Sequence, residues 1–295
     1  MSLIAQETKR HLIIVPGHSV WKKTNDPLNL GQLSDHWVLA PFQLEGNDHL
    51  TMIKHGLKAI IELVKEYDGL TDQNLILYSG SKTKVNIDQS EGKSYYELMK
   101  RLLLETNPTV INNVFQNLDK QIIEMINEIH KIGKINDVFK KDVINYEEYA
   151  LDSFENLYYS ILKFKQLNSS KKLPNKITIV GFEFKRKRFV ELHAAKALGY
   201  NNLEYIGIDP NPIALTAEKR VKYFADLAVQ ENKYGYEPFV KDWYGVKVPL
   251  LEKKLKRNVF NMVAADYYYP YLVDLKHDGD DFEFYTKVVK PSLFY

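Results

Sequence analysis

His11-Leu12-Ile13-Ile14-Val15, followed at once by Pro16-Gly17, is the stretch on which the reading of the fold turns. Leu12 to Val15 are all apolar, with none of the polar–apolar alternation of a strand that has one wet face. A strand covered on both faces has this pattern, and such strands belong to parallel sheets. Pro16-Gly17 is a turn signal that stops it. Working outward, Leu50–Tyr67 repeats apolar residues (Met52, Ile53, Leu57, Ile60, Ile61, Val64) at spacings of three and four, which predicts a helix. Asn74–Tyr78 (NLILY) reads as a second buried strand, ended by Ser79-Gly80-Ser81. Ser90–Leu104 reads as a helix, with Ser90 as its N-cap and Glu91 in its first turn. Pro108 closes that region.

The same alternation runs on. Helices are predicted at Asn112–Ile132 and Ser153–Leu167, a strand at Lys176–Phe182 and a helix at Arg188–Leu198. A strand at Leu203–Ile208 and a helix at Ile213–Gln230 follow. Strand–helix alternation with continuous apolar strands predicts an α/β fold, a Rossmann-like three-layer α/β/α sandwich with a mainly parallel sheet. One domain over 1–295 is expected, with a helical insertion at 106–146 and a C-terminal wrap at 232–295.

Composition narrows the function classes. The chain has 295 residues with 40 Lys+Arg against 38 Asp+Glu, a net charge of +2. That balance speaks against a duplex nucleic-acid binder, which concentrates positive charge. There is no cysteine, which excludes disulfides, thiolate nucleophiles and Cys-ligated metal sites. No run approaches the ~18 apolar residues of a membrane span, and Met1–Arg10 lacks the apolar stretch of a signal peptide. A soluble cytoplasmic protein is the expectation.

In an open parallel sheet, ligands bind beyond the C-terminal strand ends. Those ends are Pro16-Gly17-His18-Ser19, Ser79-Gly80-Ser81, Gly181-Phe182-Glu183-Phe184-Lys185 and Gly207-Ile208-Asp209. Gly17, Ser79, Gly80 and Ser81 could let backbone N–H groups approach a small anion. Tight turns alone explain each loop taken singly; several at one sheet edge bring a ligand site level with that explanation. Lys185, Arg186, Lys187 and Arg188 are the densest basic run, and Lys185 and Arg188 lie three apart, so they can face one ligand. The alternative is a solvated charge run. Glu147-Glu148 precede the helix carrying Ser153 and Asn156; Glu91 and Glu148 are the acid–base candidates, against plain helix capping. Of the five histidines in the first 55 residues, His18 alone sits at a strand end; the others read as surface or packing residues. Neither the dinucleotide fingerprint nor the P-loop is present.

These motifs together resemble the YdcF-like family, a domain of unknown function with bacterial members YdcF, SanA and ElyC. The order is strand-Pro-Gly-His, strand-Ser-Gly-Ser, Ser90-Glu91, Glu148-x-x-x-x-Ser153-x-Glu155-Asn156, then Lys185-x-x-Arg188-Phe189 after a strand. Glu148–Asn156 and Phe182–Phe189 are most similar to the fungal branch. The resemblance covers roughly Leu12 to Asp209. It implies a Rossmann-like sandwich and a ligand such as S-adenosylmethionine. The site it implies is Gly17, Ser79, Gly80, Glu91, Glu148, Ser153, Asn156, Lys185 and Arg188. Bacterial members carry His where Lys185 stands, so an anion contact suits this position better than a proton shuttle.

Three readings follow. The first is a protein binding a phosphorylated or nucleotide-like small molecule at the sheet edge. The second is a non-catalytic binding or scaffold module, using aromatics such as Tyr267-Tyr268-Tyr269 and Phe294-Tyr295. The third is a metal-dependent hydrolase using His18 with Glu91 or Glu148.

Overall fold

The computed structural model describes residues 10–69, 74–168, 171–268 and 280–294. At its centre, β1 (His11–Pro16) pairs in parallel with β2 (Asn74–Ser79) on one side and β4 (Lys176–Gly181) on the other. β3 (Ile144–Glu147) extends the sheet beyond β2, and β5 (Leu203–Gly207) beyond β4. The order is β3-β2-β1-β4-β5, every pair parallel. The chain winds outward from β1 in one direction through β2 and β3. It then returns to β1's other edge for β4 and β5.

β1 shows why its sequence does not alternate. Ile13 and Val15 point into one apolar cluster and Leu12 and Ile14 into the other, all fully buried. The first cluster lies under α1 (Asp48–Glu66) and α2 (Glu91–Lys100, whose last turn widens through Glu105). Three shorter helices add to it: α3 (Pro108–Phe115), α4 (Lys120–Ile132) and α5 (Ile135–Lys140). The second cluster lies under α6 (Ser153–Leu167) and α7 (Arg188–Ala197). The C-terminal region seals it with Phe239, Tyr244, Leu250, Tyr268, Phe284 and Leu293. The α/β Rossmann-like sandwich expected from the alternation is the architecture of the chain.

Three elements depart from the sequence pattern. The helix expected over Asn112–Ile132 is two, α3 and α4. Asp119 caps the second by accepting from the Gln121 amide at 3.0 Å, which interrupts the apolar stripe. Pro108 opens α3 rather than closing the preceding region; its missing N–H costs nothing at the first helical position. The end of the 106–146 stretch supplies β3, whose pattern Ile144-Asn145-Tyr146-Glu147 is too short and too polar to read as a strand. The last predicted helix begins later than Ile213: α8 (Ala217–Glu231) starts behind a Thr216 cap.

No helix among the described residues is long and apolar enough to cross a membrane. The N-terminal stretch read for a signal peptide lies almost wholly outside the described residues, as do Tyr269 and Tyr295. Of the C-terminal aromatics, Tyr268 is fully buried, while Tyr267 and Phe294 are exposed.

α2 is pressed unusually close to the strand ends. A Cβ on Gly92 would stand 2.4 Å from the Tyr78 carbonyl oxygen and 2.5 Å from that of Glu147. Neither backbone atom can swing aside, so Gly92→Ala must push α2 off β2 and β3. The expected loss is about 1–3 kcal/mol of unfolding free energy, read by urea denaturation at unchanged slope.

Candidate functional site

The two halves of the sheet wind in opposite senses from β1, so a crevice opens between the C-terminal ends of β1 and β4. In open α/β sheets this switch point is where ligands bind. His18 leaves β1 there and Lys185 follows β4. Their side chains meet, with Lys185 Nζ 3.0 Å from His18 Nδ1. Burial is the main cause lowering the Lys185 amine to about 7, and the Arg188 cation adds to it. Burial likewise drives His18 well below the usual imidazole range, with Lys185 the next cause. The pair is therefore a neutral imidazole accepting from an amine poised between charged and neutral at physiological pH.

Two residues absent from the strand-end reading complete this corner. His55, on α1, lies beneath His18 with ring centroids 6.4 Å apart; burial lowers its pKa to about 3. Asp48, at the start of α1, is buried, and desolvation raises it to about 7 while the Lys185 charge opposes that rise. His18 Nε2, His55 Nδ1 and Asp48 Oδ1 have no hydrogen-bond partner among the described residues. Unpaired polar atoms inside a crevice are costly unless something else meets them. In the sequence His55 reads as a surface or packing histidine and Asp48 falls before the helix predicted from Leu50; only the folding of α1 over β1 brings them here.

Arg188 begins α7 beside this corner, and its guanidinium is engaged. Nε lies 2.9 Å from Glu231 Oε1, Nη2 donates to Glu231 Oε2 at 3.1 Å, and Nη1 donates to Ser153 Oγ at 3.1 Å. Glu231 is the last residue of α8. Along that helix only Tyr223, Leu227 and Glu231 are half-buried, four residues apart on one stripe, and the rest is exposed. α8 thus lies on the site by a single seam and lends it a carboxylate that pairs with Arg188. Lys185 and Arg188 are near enough for the Arg188 charge to lower the Lys185 amine, but Lys185 turns to His18 and Arg188 to Glu231 and Ser153.

The other residues divide. Ser79 is buried; its hydroxyl donates to Glu147 Oε2 at 2.7 Å and lies 2.9 Å from the Asn156 amide oxygen. Glu147 also accepts from the Tyr149 and Ala150 amides and the Tyr268 hydroxyl, yet burial still lifts it to about 7. This knot joins β2, β3, α6 and the C-terminal region below the edge. Ser81 is buried against Met262. Glu148 accepts from Ser90 Oγ at 2.8 Å and ties β3 to the α2 cap. Gly17 and Gly80 are where Glu91 enters: a Cβ on Gly17 would lie 2.6 Å from Glu91 Cβ, and one on Gly80 would lie 2.9 Å from it. The amides of Gly17, Gly80 and Ser81 donate to the carbonyls of Ser79, Glu147 and Ala150. The glycines therefore admit a carboxylate, and these three N–H groups are spent on the backbone. Glu91 itself accepts from Thr83 Oγ1 at 2.8 Å and stays partly exposed. No group of three or more His, Asp or Glu side chains among the described residues is arranged to hold a metal ion.

Fold and site together define a doubly wound α/β protein with His18, Lys185 and Arg188 gathered at its switch point. The chain belongs to the same family as the uncharacterized protein YOR238W of Saccharomyces cerevisiae. It is 40% identical to that protein over 305 residues, covering 97% of each chain. No family profile matches the chain, and no solved structure matches it.

Because the Lys185 amine is depressed in the folded protein and ordinary in the unfolded chain, its charge opposes folding below about pH 7. Between about 7 and the ordinary lysine value of ~10.4 the unfolded chain holds the extra proton, so this penalty fades as pH rises. Lys185→Met should raise the melting temperature most at pH 6, with the gain shrinking towards pH 9.

Proposed function

We propose that the chain binds a small phosphorylated or nucleotide-like anion in the crevice between β1 and β4. The observation that carries this reading is the meeting of Lys185, Arg188 and His18 at the switch point, beside three polar atoms left without partners among the described residues. A phosphate accepting from Lys185 Nζ would favour the charged amine, and the Arg188 fork suits two of its oxygens. Side chains make the site, since the Gly17, Gly80 and Ser81 amides are committed elsewhere. S-adenosylmethionine, the ligand implied by the resemblance to YdcF-like proteins, falls within reach of the same reading. Its carboxylate would meet the two cations, while Glu91 supplies the acid that a sulfonium would prefer. A metal-dependent hydrolase is less well supported: His18 turns Nδ1 to an amine, Glu91 to Thr83 and Glu148 to Ser90. The buried Tyr268 weakens the scaffold reading by removing part of its aromatic surface.

Thermal-shift titration with inorganic phosphate, AMP, sugar phosphates and S-adenosylmethionine tests the reading. Stabilisation by at least one is expected, and its loss in Lys185→Ala/Arg188→Ala. Binding should be tightest below pH 7 and weaken as pH rises through the Lys185 titration, because the bound anion needs the protonated amine. Above pH 7, binding should take up a proton, seen by calorimetry in buffers of different ionisation heat. Absence of stabilisation by any of these ligands refutes the reading.

Glu231 competes with the ligand for Arg188. Glu231→Gln removes that charge and should tighten anion binding by about tenfold, equivalent to ~1.4 kcal/mol. Unchanged affinity in this variant would show that Arg188 does not contact the ligand.

A further inference from the structure

Ser153 stands between two side chains. Its Oγ accepts from Arg188 Nη1 at 3.1 Å and lies 2.7 Å from His193 Nε2. Arg188 and His193 both come from α7, whose turns are widened to the π form. In that form residues five apart stand one above the other, so both side chains face the same hydroxyl. With His193 in the tautomer that carries its proton on Nδ1, the Ser153 hydroxyl donates to Nε2 while accepting from Arg188. His193 is fully buried, edge-on to Phe239 at 4.5 Å and to Phe189 at 5.4 Å. Burial, then the Arg188 charge, holds it well below the usual imidazole range and therefore neutral. Ser153 retains 9% exposure, and it is the first residue of α6, where the helix dipole favours a developing negative charge.

We propose that Ser153 is a nucleophile, with His193 as its base, and that it cleaves an ester whose anionic portion is held by Lys185 and Arg188. This rests on the crevice being the ligand site. A hydroxyl within hydrogen-bond reach of a neutral imidazole is the nucleophile–base half of the arrangement that activates serine; here Phe239 and Phe189 hold the ring, and Nδ1 has no hydrogen-bond partner among the described residues. Ser153 Oγ attacks the ester carbonyl carbon and its proton passes to His193 Nε2. The carbonyl oxygen gains negative charge beside the Arg188 guanidinium. The bond to the alcohol oxygen breaks, and that oxygen takes the proton from Nε2. Water then attacks the acyl-serine, giving a proton to Nε2. The Oγ–carbon bond breaks, the proton returns to Ser153, and the net products are acid and alcohol.

The test is covalent labelling of the full chain by an alkyl fluorophosphonate, followed by intact mass and peptide mapping, with p-nitrophenyl acetate hydrolysis in parallel. One equivalent of adduct on Ser153 is expected, with turnover of the ester. Ser153→Ala, which only removes an oxygen, should abolish both. The wild-type adduct map does not depend on any variant folding. Absence of an adduct on Ser153 in protein that inorganic phosphate still stabilises overturns the nucleophile and leaves the anion site standing. An adduct on Ser153 in protein that no anion stabilises supports the nucleophile and overturns the anion site.

Discussion

β1 pairs with β2 over all six of its residues along one edge and with β4 over His11–Ile14 along the other, with apolar layers on both faces. Buried backbone groups must be paired, and here the parallel ladders satisfy them without water. All the strands run the same way, so their C-terminal ends open on a single edge. The two outward windings then part between β1 and β4, and α1 lies over that switch point with His55 and Asp48. His18 and Lys185 are neighbours because of that topology, although 167 residues separate them in the chain.

Lys185 shows how the fold sets chemistry. The same side chain in water would be fully charged. Enclosed beside Arg188 and His18, its charge becomes marginal. Asp48 moves the opposite way under the same desolvation. An acid and a base with converging affinities for protons in one crevice make its net charge sensitive to whatever enters. The buried Lys254, by contrast, is held charged by Glu155 at 2.9 Å and by Asp152. That cation fastens the C-terminal region to α6, and its pairing leaves it nothing to offer a ligand.

Much of the fold was legible because apolar periodicity is a local signal. The predicted bounds of Ser153–Leu167 match α6, and the four apolar strands all form. β3 escaped because two of its four residues are polar and it is an edge strand, so hydropathy carries little information there. The site was legible only at strand ends. Lys185, Arg188 and His18 were found from position. His55, Asp48 and Glu231 were not, since nothing in a helix's own sequence says which strand end it will cover. Nor did Gly17 and Gly80 announce that a carboxylate, rather than an anion, would fill the space they leave.

The central placement of β1 also sets the order in which the chain can mature. Its first partner, β2, emerges within about 70 residues, but its second, beginning at Lys176, follows His11 by about 165. Until then one ladder edge of the most apolar strand stays open. Such non-local pairing slows folding and exposes a sticky edge. Synthesis from the N-terminus therefore leaves a half-built sheet waiting on the ribosome, and chaperone demand should concentrate in that interval.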